Sequence, residues 1–297
     1  MRLTSNLAGA LAPVAILFAL PAAAQVAETA PPDAGATATQ VGTADMSGDS
    51  ITVGLGAAYL PDYEGSDDYR FVPAPGAIGS FRGFNFTLAG NRLSVDLIPD
   101  GRGPTIDIQA GPIGVINFNR SSTKSIDDDR VKALGKVDTA VELGGYVGIG
   151  KTGVITSEYD RLSVSLSYRH DVSGTHKSGI WQPTVNYFTP LSRKAAVGLF
   201  ASAEHAGNGY ADAYFSVTPT QSLASTLPVY DAGKGWKNYT IGALGAVSVT
   251  GDLLHGFKLV GNVTYRRMLN DFADSPLVSV AGSRSQWLGV LGVAYTF

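Results

Sequence analysis

Trp287-Leu288-Gly289-Val290-Leu291-Gly292-Val293-Ala294-Tyr295-Thr296-Phe297 carries large apolar or glycine positions in alternation, with aromatics at both ends of an apolar middle. Strand side chains alternate with a period of two, so Trp287, Gly289, Leu291, Val293, Tyr295 and Phe297 share one face. Aromatics bracketing an apolar band are what a strand shows when its outer face lies in a bilayer. The pattern recurs upstream. Leu162, Val164, Leu166 and Tyr168 lie on one face of a segment whose other face is Arg161, Ser163, Ser165, Ser167 and Arg169. Val141, Leu143, Val147 and Ile149 repeat it, as do Phe257, Leu259, Val263 and Tyr265, and the segments 51–59, 106–118, 181–187, 195–203, 211–217 and 239–249 complete most of the set.

The distribution of charge separates a membrane barrel from a soluble sandwich. With each strand's apolar parity taken as outward, the inward set collects Arg92, Asp96, Asp107, Asp138, Glu142, Arg161, Arg169, Asp171, Lys194, Glu204, Asp212, Lys258 and Arg266, and the outward set holds Arg267 near a strand end. A lipid-facing Arg or Lys costs about 2–4 kcal/mol at the bilayer midplane and little near its surface, so an exception at an end is tolerated. A sandwich also alternates, but rarely over so many strands of nine or more residues, the length a tilted strand needs to cross. The expected fold is therefore an all-β, transmembrane antiparallel barrel of twelve strands over residues 50–297.

Composition agrees. The chain has 297 residues with 36 Gly, 13 Tyr and 12 Phe, 16% charged residues and no cysteine. Missing thiols exclude disulfides, thiolate metal sites and a lipoprotein anchor. Its 22 basic and 25 acidic side chains are unevenly placed. Arg2 lies in an apolar N-terminal stretch ending Pro21-Ala22-Ala23-Ala24, which reads as an export signal cleaved after Ala24. Glu28, Asp33, Asp45 and Asp49 lie in a base-free stretch, 25–49, rich in Ala, Thr, Pro and Gly, which reads as a flexible acidic leader. Setting those five charges aside leaves 21 of each sign, a balance with no nucleic-acid footprint.

Even strand number and a periplasmic N-terminus favour twelve crossings. Between Phe84 and Ile98 the apolar parity flips across Ala89-Gly90-Asn91, which reads as a bulge within one strand because hairpin arms there would be too short to span. That choice puts the polar segment 119–136 on the periplasmic side. Six basic and seven acidic inward residues make no single-sign ring, and twelve strands fall between barrels filled by side chains and barrels with a channel, so both states of the lumen stay open.

No enzyme or cofactor is expected. His170 and His205 fall on apolar parity near strand ends and suit an interfacial belt, His176 and His255 fall in connections, and no Ser occupies a nucleophile elbow. The cluster His170, Asp171 and His176 is the one weak candidate for metal or acid–base work.

Three loop segments carry a family resemblance. Pro61-Asp62-Tyr63-Glu64-Gly65-Ser66 with Tyr69, Pro73 and Pro75, then Leu227-Pro228-Val229-Tyr230-Asp231-Ala232-Gly233-Lys234-Gly235, then Asp271-Phe272-Ala273-Asp274-Ser275-Pro276-Leu277, together resemble the MipA/OmpV family of outer-membrane proteins. Asn270-Asp271-Phe272 stands where Gly-Asp-Ala is usual in that family. The last strand, with Tyr295 and a terminal Phe297, is similar to closing strands that the barrel-assembly machinery reads as a signal. The resemblance implies an outer-membrane protein in contact with lipid and a scaffold that holds a lytic transglycosylase near a bifunctional penicillin-binding protein, acting as a monomer. It places Pro61, Tyr63, Glu64, Gly65, Ser66, Tyr230, Gly233, Asp271, Ser275 and Pro276 in the family's loops. Two other readings remain: a small-solute or osmotic-stress channel lined by Glu142, Arg161, Arg169, Lys258 and Arg266, and an adhesin acting through its outer loops.

Overall fold

A computed structural model describes residues 49–99 and 106–297; the proposed export signal and nearly all of the leader lie outside the described residues. Twelve antiparallel strands close into a barrel. They are β1 (Ser50–Pro61), β2 (Tyr69–Phe81), β3 (Phe84–Ala89), β4 (Arg92–Asp96), β5 (Ile106–Asn117), β6 (Ala140–Thr152), β7 (Arg161–Asp171), β8 (Gly179–Ser192), β9 (Ala195–Ala206), β10 (Gly235–Ser248), β11 (Gly256–Met268) and β12 (Ser285–Thr296). Among the described residues five short α-helices sit in the connections: α1 (Asp129–Ala133), α2 (Asn208–Phe215), α3 (Pro219–Ser225), α4 (Asn270–Asp274) and α5 (Pro276–Ser279). No helix among the described residues is long and apolar enough to cross a membrane. Pairing β1 with β12 closes the wall and satisfies the backbone groups that lipid cannot.

The outward face is apolar and belted. Leu55, Leu143, Val147, Ile149, Val164, Leu259, Val263 and Leu291 are exposed on it. One belt pairs Tyr59 with Tyr69, Tyr168 with Trp181, His205 with Trp236 and Tyr265 with Trp287, with ring centroids 5.0, 4.6, 5.5 and 5.1 Å apart. The other holds Phe257, Tyr295 and Phe297, packed at 4.7 and 4.8 Å. Rings of this kind settle at bilayer interfaces, where an apolar body and a polar tip are both satisfied. Arg267 lies at the first belt and donates to the Ser285 hydroxyl (3.2 Å). Because β6 runs two to three residues beyond the periodic stretch, Lys151 is a second exposed, outward-parity charge, at the opposite belt.

Three local expectations need correction. The parity flip at 89–91 is a hairpin, not a bulge: β3 and β4 pair through Ala89↔Arg92 around a turn whose first corner, Gly90, sits at φ 56°, where glycine is favoured. The arms are indeed too short to span, and the wall accepts this because β2 and β5 continue on either side. Residues 211–217 are not a strand. Tyr210, Ala211, Tyr214 and Phe215 of α2 are buried at spacings of one and four, a helical face that the coincidental alternation of Ala211, Ala213 and Phe215 concealed. One strand more and one fewer leave twelve. The third correction follows from the first: the three longest connections, 118–139, 207–234 and 269–284, lie at one end with 62–68 and 172–178, and the other end, where β1 begins and β12 finishes, has no connection longer than nine residues and two of only two, 82–83 and 193–194. Outer-membrane barrels keep short turns on the periplasmic side, so 119–136 is on the outer side.

Candidate functional site

Near the outer end the lumen is filled by a dehydrated network of charges. Arg169 on β7 donates from Nε to Glu142 Oε2 on β6 (2.6 Å), from Nη2 to Glu204 Oε1 on β9 (2.5 Å) and from Nη1 to Gln182 Oε1 on β8 (3.2 Å). Lys237 Nζ lies 2.7 Å from both Glu204 Oε2 and Glu64 Oε1. Tyr210 donates its hydroxyl to Glu64 Oε2 (2.8 Å) and lays its ring under the Lys237 ammonium, 4.5 Å from centroid to nitrogen. Asn117 donates to Glu142 Oε1 (2.9 Å), His176 Nε2 lies 3.2 Å from the same oxygen, and Arg92 donates to Gln182 Oε1 (2.9 Å). These charged side chains are all buried. Charges removed from water survive only when paired and hydrogen-bonded, which is what this arrangement supplies for Glu64, Glu142, Arg169, Glu204 and Lys237.

Above the network the loops form a packed lid rather than loose ends. Tyr210, Tyr214, Phe215, Met268, Phe272 and Val278 make one apolar cluster, and Tyr63, Ile126, Val131, Leu134, Leu227 and Leu277 make another. The loop segments singled out in the sequence converge here. Tyr63 donates its hydroxyl to the Leu277 carbonyl (3.0 Å) and to that of Ala281, and burial pushes the phenol above its ordinary range. Gly65 sits at φ 99° with a Cβ position 2.4 Å from Val278, so a side chain there would have to displace the lid. Tyr230 donates to the Asp271 carbonyl (2.9 Å), Asp271 accepts from the Gly233 N–H (2.9 Å), and Ser275 donates to the Phe215 carbonyl (2.6 Å). Pro276 starts α5, where its fixed φ and missing N–H cost nothing. Pro61 ends β1 and the Ser66 carbonyl accepts from Gln286 (2.9 Å), so the first loop is bonded to the last strand. Arg120 donates to the carbonyls of Tyr214 (3.2 Å) and Gly135 (3.1 Å), and burial lowers its pKa to about 10.

The family model described as MltA-interacting protein MipA matches residues 53–297. The chain belongs to that family. No curated protein matches this MipA-family chain. Among solved structures it is similar to the Pseudomonas putida toluene transporter TodX (8% identity, 88% of this chain and 95% of that one, TM-score 0.36). It is similar also to the CymD monoaromatic hydrocarbon channel (8%, 84% and 88%, 0.36) and to Pseudomonas aeruginosa OprD (10%, 87% and 99%, 0.29). With its family shown and its twelve strands closed into a barrel with an apolar outer face, the MipA-family chain is an outer-membrane β-barrel protein.

Of the residues expected in the lumen, Arg92, Glu142, Arg169 and Glu204 meet in the network. Asp96, Asp107, Arg161, Lys258 and Arg266 also lie on inward positions, with Arg161 paired to Asp107 toward the periplasmic end. Three do not line it. Asp138 is exposed in the connection before β6, 3.2 Å from Lys136; Lys194 is exposed in the β8–β9 turn; Asp212 is exposed on α2. Each was assigned by extending strand parity into a segment that is not strand. Asp171, at the end of β7, does point inward, but it accepts the N–H groups of Ser173, His176 and Lys177 (2.9, 2.7 and 2.9 Å) and so shapes the next turn. No group of three His, Cys, Asp or Glu that could hold a metal occurs among the described residues.

The network members that periodicity missed are Lys237, Tyr210 and His176. Lys237 has the outward parity of β10, but the register shifts between Trp236 and Asn238 and turns it inward. A signal existed: Trp236 and Tyr239 cannot both face lipid in an unbroken strand, so a bulge between them was readable. Tyr210 and His176 arrive from connections, where strand parity has nothing to say.

Proposed function

We propose that this MipA-family barrel is an occluded membrane anchor that holds murein-active enzymes at the outer membrane, a lytic transglycosylase near a bifunctional penicillin-binding protein. One observation carries the reading. The Glu64, Lys237, Glu204, Arg169 and Glu142 chain fills the lumen beneath a packed lid, and a solute route would require these dehydrated pairs to separate. A barrel without a through-path does its work at its surfaces. Murein enzymes act on the periplasmic side, so their contact is assigned to the end with the short turns, where β1 begins after the acidic stretch 25–49 in sequence, and not to 119–136.

The test couples two measurements on the full-length protein. Immobilised in mild detergent, it should retain a purified lytic transglycosylase and a bifunctional penicillin-binding protein from the same organism, and lose them when 25–49 is deleted. In planar bilayers it should give no stable conductance. Steady openings altered by Arg169→Ala, with no enzyme retained, would replace the scaffold with a channel.

A further inference from the structure

Beneath the charge network lies a chamber of about 340 Å³ bounded by β1, β2, β11 and β12 on one side and by Phe188, Ala196, Leu244 and Ala246 on the other. Its wall is unusually bare. Successive partners across five strands are Lys258↔Ala294, Ala294↔Gly54, Gly54↔Gly76 and Gly76↔Ala89, all on the inward face. The neighbouring row is Val260, Gly292, Gly56 and Ala74. Side chains on these two rows are so small that they leave a trough. Four strand spacings make it roughly 19 Å long. One leaflet of hydrocarbon is about 15 Å deep, so the trough is of the length of an acyl chain.

The two ends of the trough differ chemically. At one end Lys258 is 5% exposed. Its ammonium donates to the Thr296 hydroxyl, and no carboxylate among the described residues pairs with it within ion-pair distance; Asp252 on the adjacent turn acts on it only from farther away. An ammonium has three donors, so a lysine on the chamber wall bonded to one hydroxyl has donors left for an anionic group.

At the other end the wall has a window. The β2–β3 ladder stops at Gly76↔Ala89, and β4 pairs with β5 only as far as Arg92↔Val115. The hairpin tip is tied to both neighbours, Gly90 N–H to the Pro75 carbonyl (2.9 Å) and Ile116 N–H to the Asn91 carbonyl (3.0 Å). Beyond it, residues 69–74 have a ladder partner on the β1 side alone. Three strand spacings, roughly 14 Å, separate β2 from β5 at the level of the tip. The window is roofed by the Glu64 N–H on Asn119 (3.0 Å) and the Asp127 N–H on Asp62 (2.7 Å). Pro75 turns its carbonyl to the hairpin side, so Pro75 and, two residues earlier, Pro73 bring no N–H to this free edge. An outer recess bounded by Leu93, Ile116 and Leu143 shares Leu88, Gly90 and Asn91 with the lining of the chamber. The window therefore faces hydrocarbon on the outside and the trough on the inside.

We propose that the chamber binds a single-chain alkyl carboxylate, with its tail along the glycine and alanine trough and its head on Lys258, admitted from the bilayer through the window above the β3–β4 hairpin. A 340 Å³ chamber is at the small end of ligand sites, which suits one chain with a compact head. The inference is independent of the scaffold reading.

The test is equilibrium dialysis of radiolabelled dodecanoate against the full chain held in amphipol, with empty amphipol as blank. Saturable binding of one molecule per chain is expected. Lys258→Met should weaken it about tenfold and Lys258→Arg should leave it nearly intact, since a charge-assisted hydrogen bond is at stake. Gly76→Phe should abolish it. A Cβ at Gly76 meets nothing closer than 3.5 Å, so the backbone tolerates the change while the ring occupies the trough. Retained heat-modifiable mobility of each variant on gels separates lost binding from lost folding. Absence of saturable binding to the wild type, or unchanged affinity in folded Lys258→Met and Gly76→Phe, would overturn the proposal. Dodecanol binding as tightly as dodecanoate would overturn the role of Lys258.

Discussion

Replacing Lys237 with methionine tests whether the outer lumen is dry. The ammonium is buried and touches Glu64 and Glu204 at 2.7 Å each. In Lys237→Met the apolar stem is kept, so packing changes little, but two carboxylates lose a cation. Glu204 keeps Arg169 Nη2 (2.5 Å), and Glu64 keeps Tyr210 (2.8 Å) and Asn238 (3.5 Å) among its partners. Removing one partner of a buried pair costs about 3–5 kcal/mol, and with both carboxylates still held by other groups the lower end applies, about 3 kcal/mol. That is roughly two orders of magnitude in the folding equilibrium. Urea unfolding in lipid vesicles, followed through the fluorescence of Trp181, Trp236 and Trp287, would read it as a lowered midpoint at unchanged slope. The double variant Lys237→Met with Glu64→Gln should recover at least half of the loss, because the carboxylate that touched the lost ammonium no longer carries a charge. A single variant within about 0.5 kcal/mol of wild type would place the change among ordinary surface substitutions, and would refute the claim that the network excludes water.

Two further outcomes follow from the wall and its turns. Leu291, 70% exposed between the belts, should cost about 2–4 kcal/mol when changed to Lys, whereas Ile51→Lys, at the periplasmic belt beside Phe297, should cost about 1 kcal/mol or less; urea midpoints in vesicles compare them, and equal costs would contradict the depth assignment. Burial pushes the Asp160 carboxyl up, but N–H groups of Val154, Ile155 and Thr156 (2.6, 2.8 and 2.5 Å) and the Tyr187 hydroxyl outweigh it and hold it below the usual range. A depressed folded-state pKa means that this support of the β6–β7 turn is present above the unfolded value, near 4, and lost as pH falls through the folded one. Amide exchange at Ile155 and Thr156, corrected for intrinsic rates, should therefore accelerate in acid and, at neutral pH, in Asp160→Asn; protection indifferent to both would refute it.

What the sequence disclosed depended on whether a residue belonged to a regular strand. Period-two alternation with inward charge is imposed by lipid on every crossing segment, so the barrel, its closing strand and the inward Arg169, Glu142 and Glu204 were readable. The hairpin at Gly90-Asn91 was visible as a parity flip, but arm length argued against it, because a wall with a deliberate short spot is not the rule that periodicity encodes. The lid was the least legible part. Residues 211–217 alternate by coincidence, and 208–215 fold as a helix because Tyr210, Tyr214 and Phe215 find a common apolar cluster, a tertiary effect that no local period contains. Lys237 lies between these cases: one inserted residue reversed its face, and only the clash of parity between Trp236 and Tyr239 recorded it.

The central claim is that each crossing strand shows one face to lipid and the other to a closed interior, and β7 tests it most directly. The chain has no cysteine, so single-cysteine variants at 162–168 can be spin-labelled without background. Collision with oxygen, which partitions into hydrocarbon, should peak at Leu162, Val164, Leu166 and Tyr168 and fall at Ser163, Ser165 and Ser167. Uniform accessibility along the strand, or peaks on the serines, would contradict it.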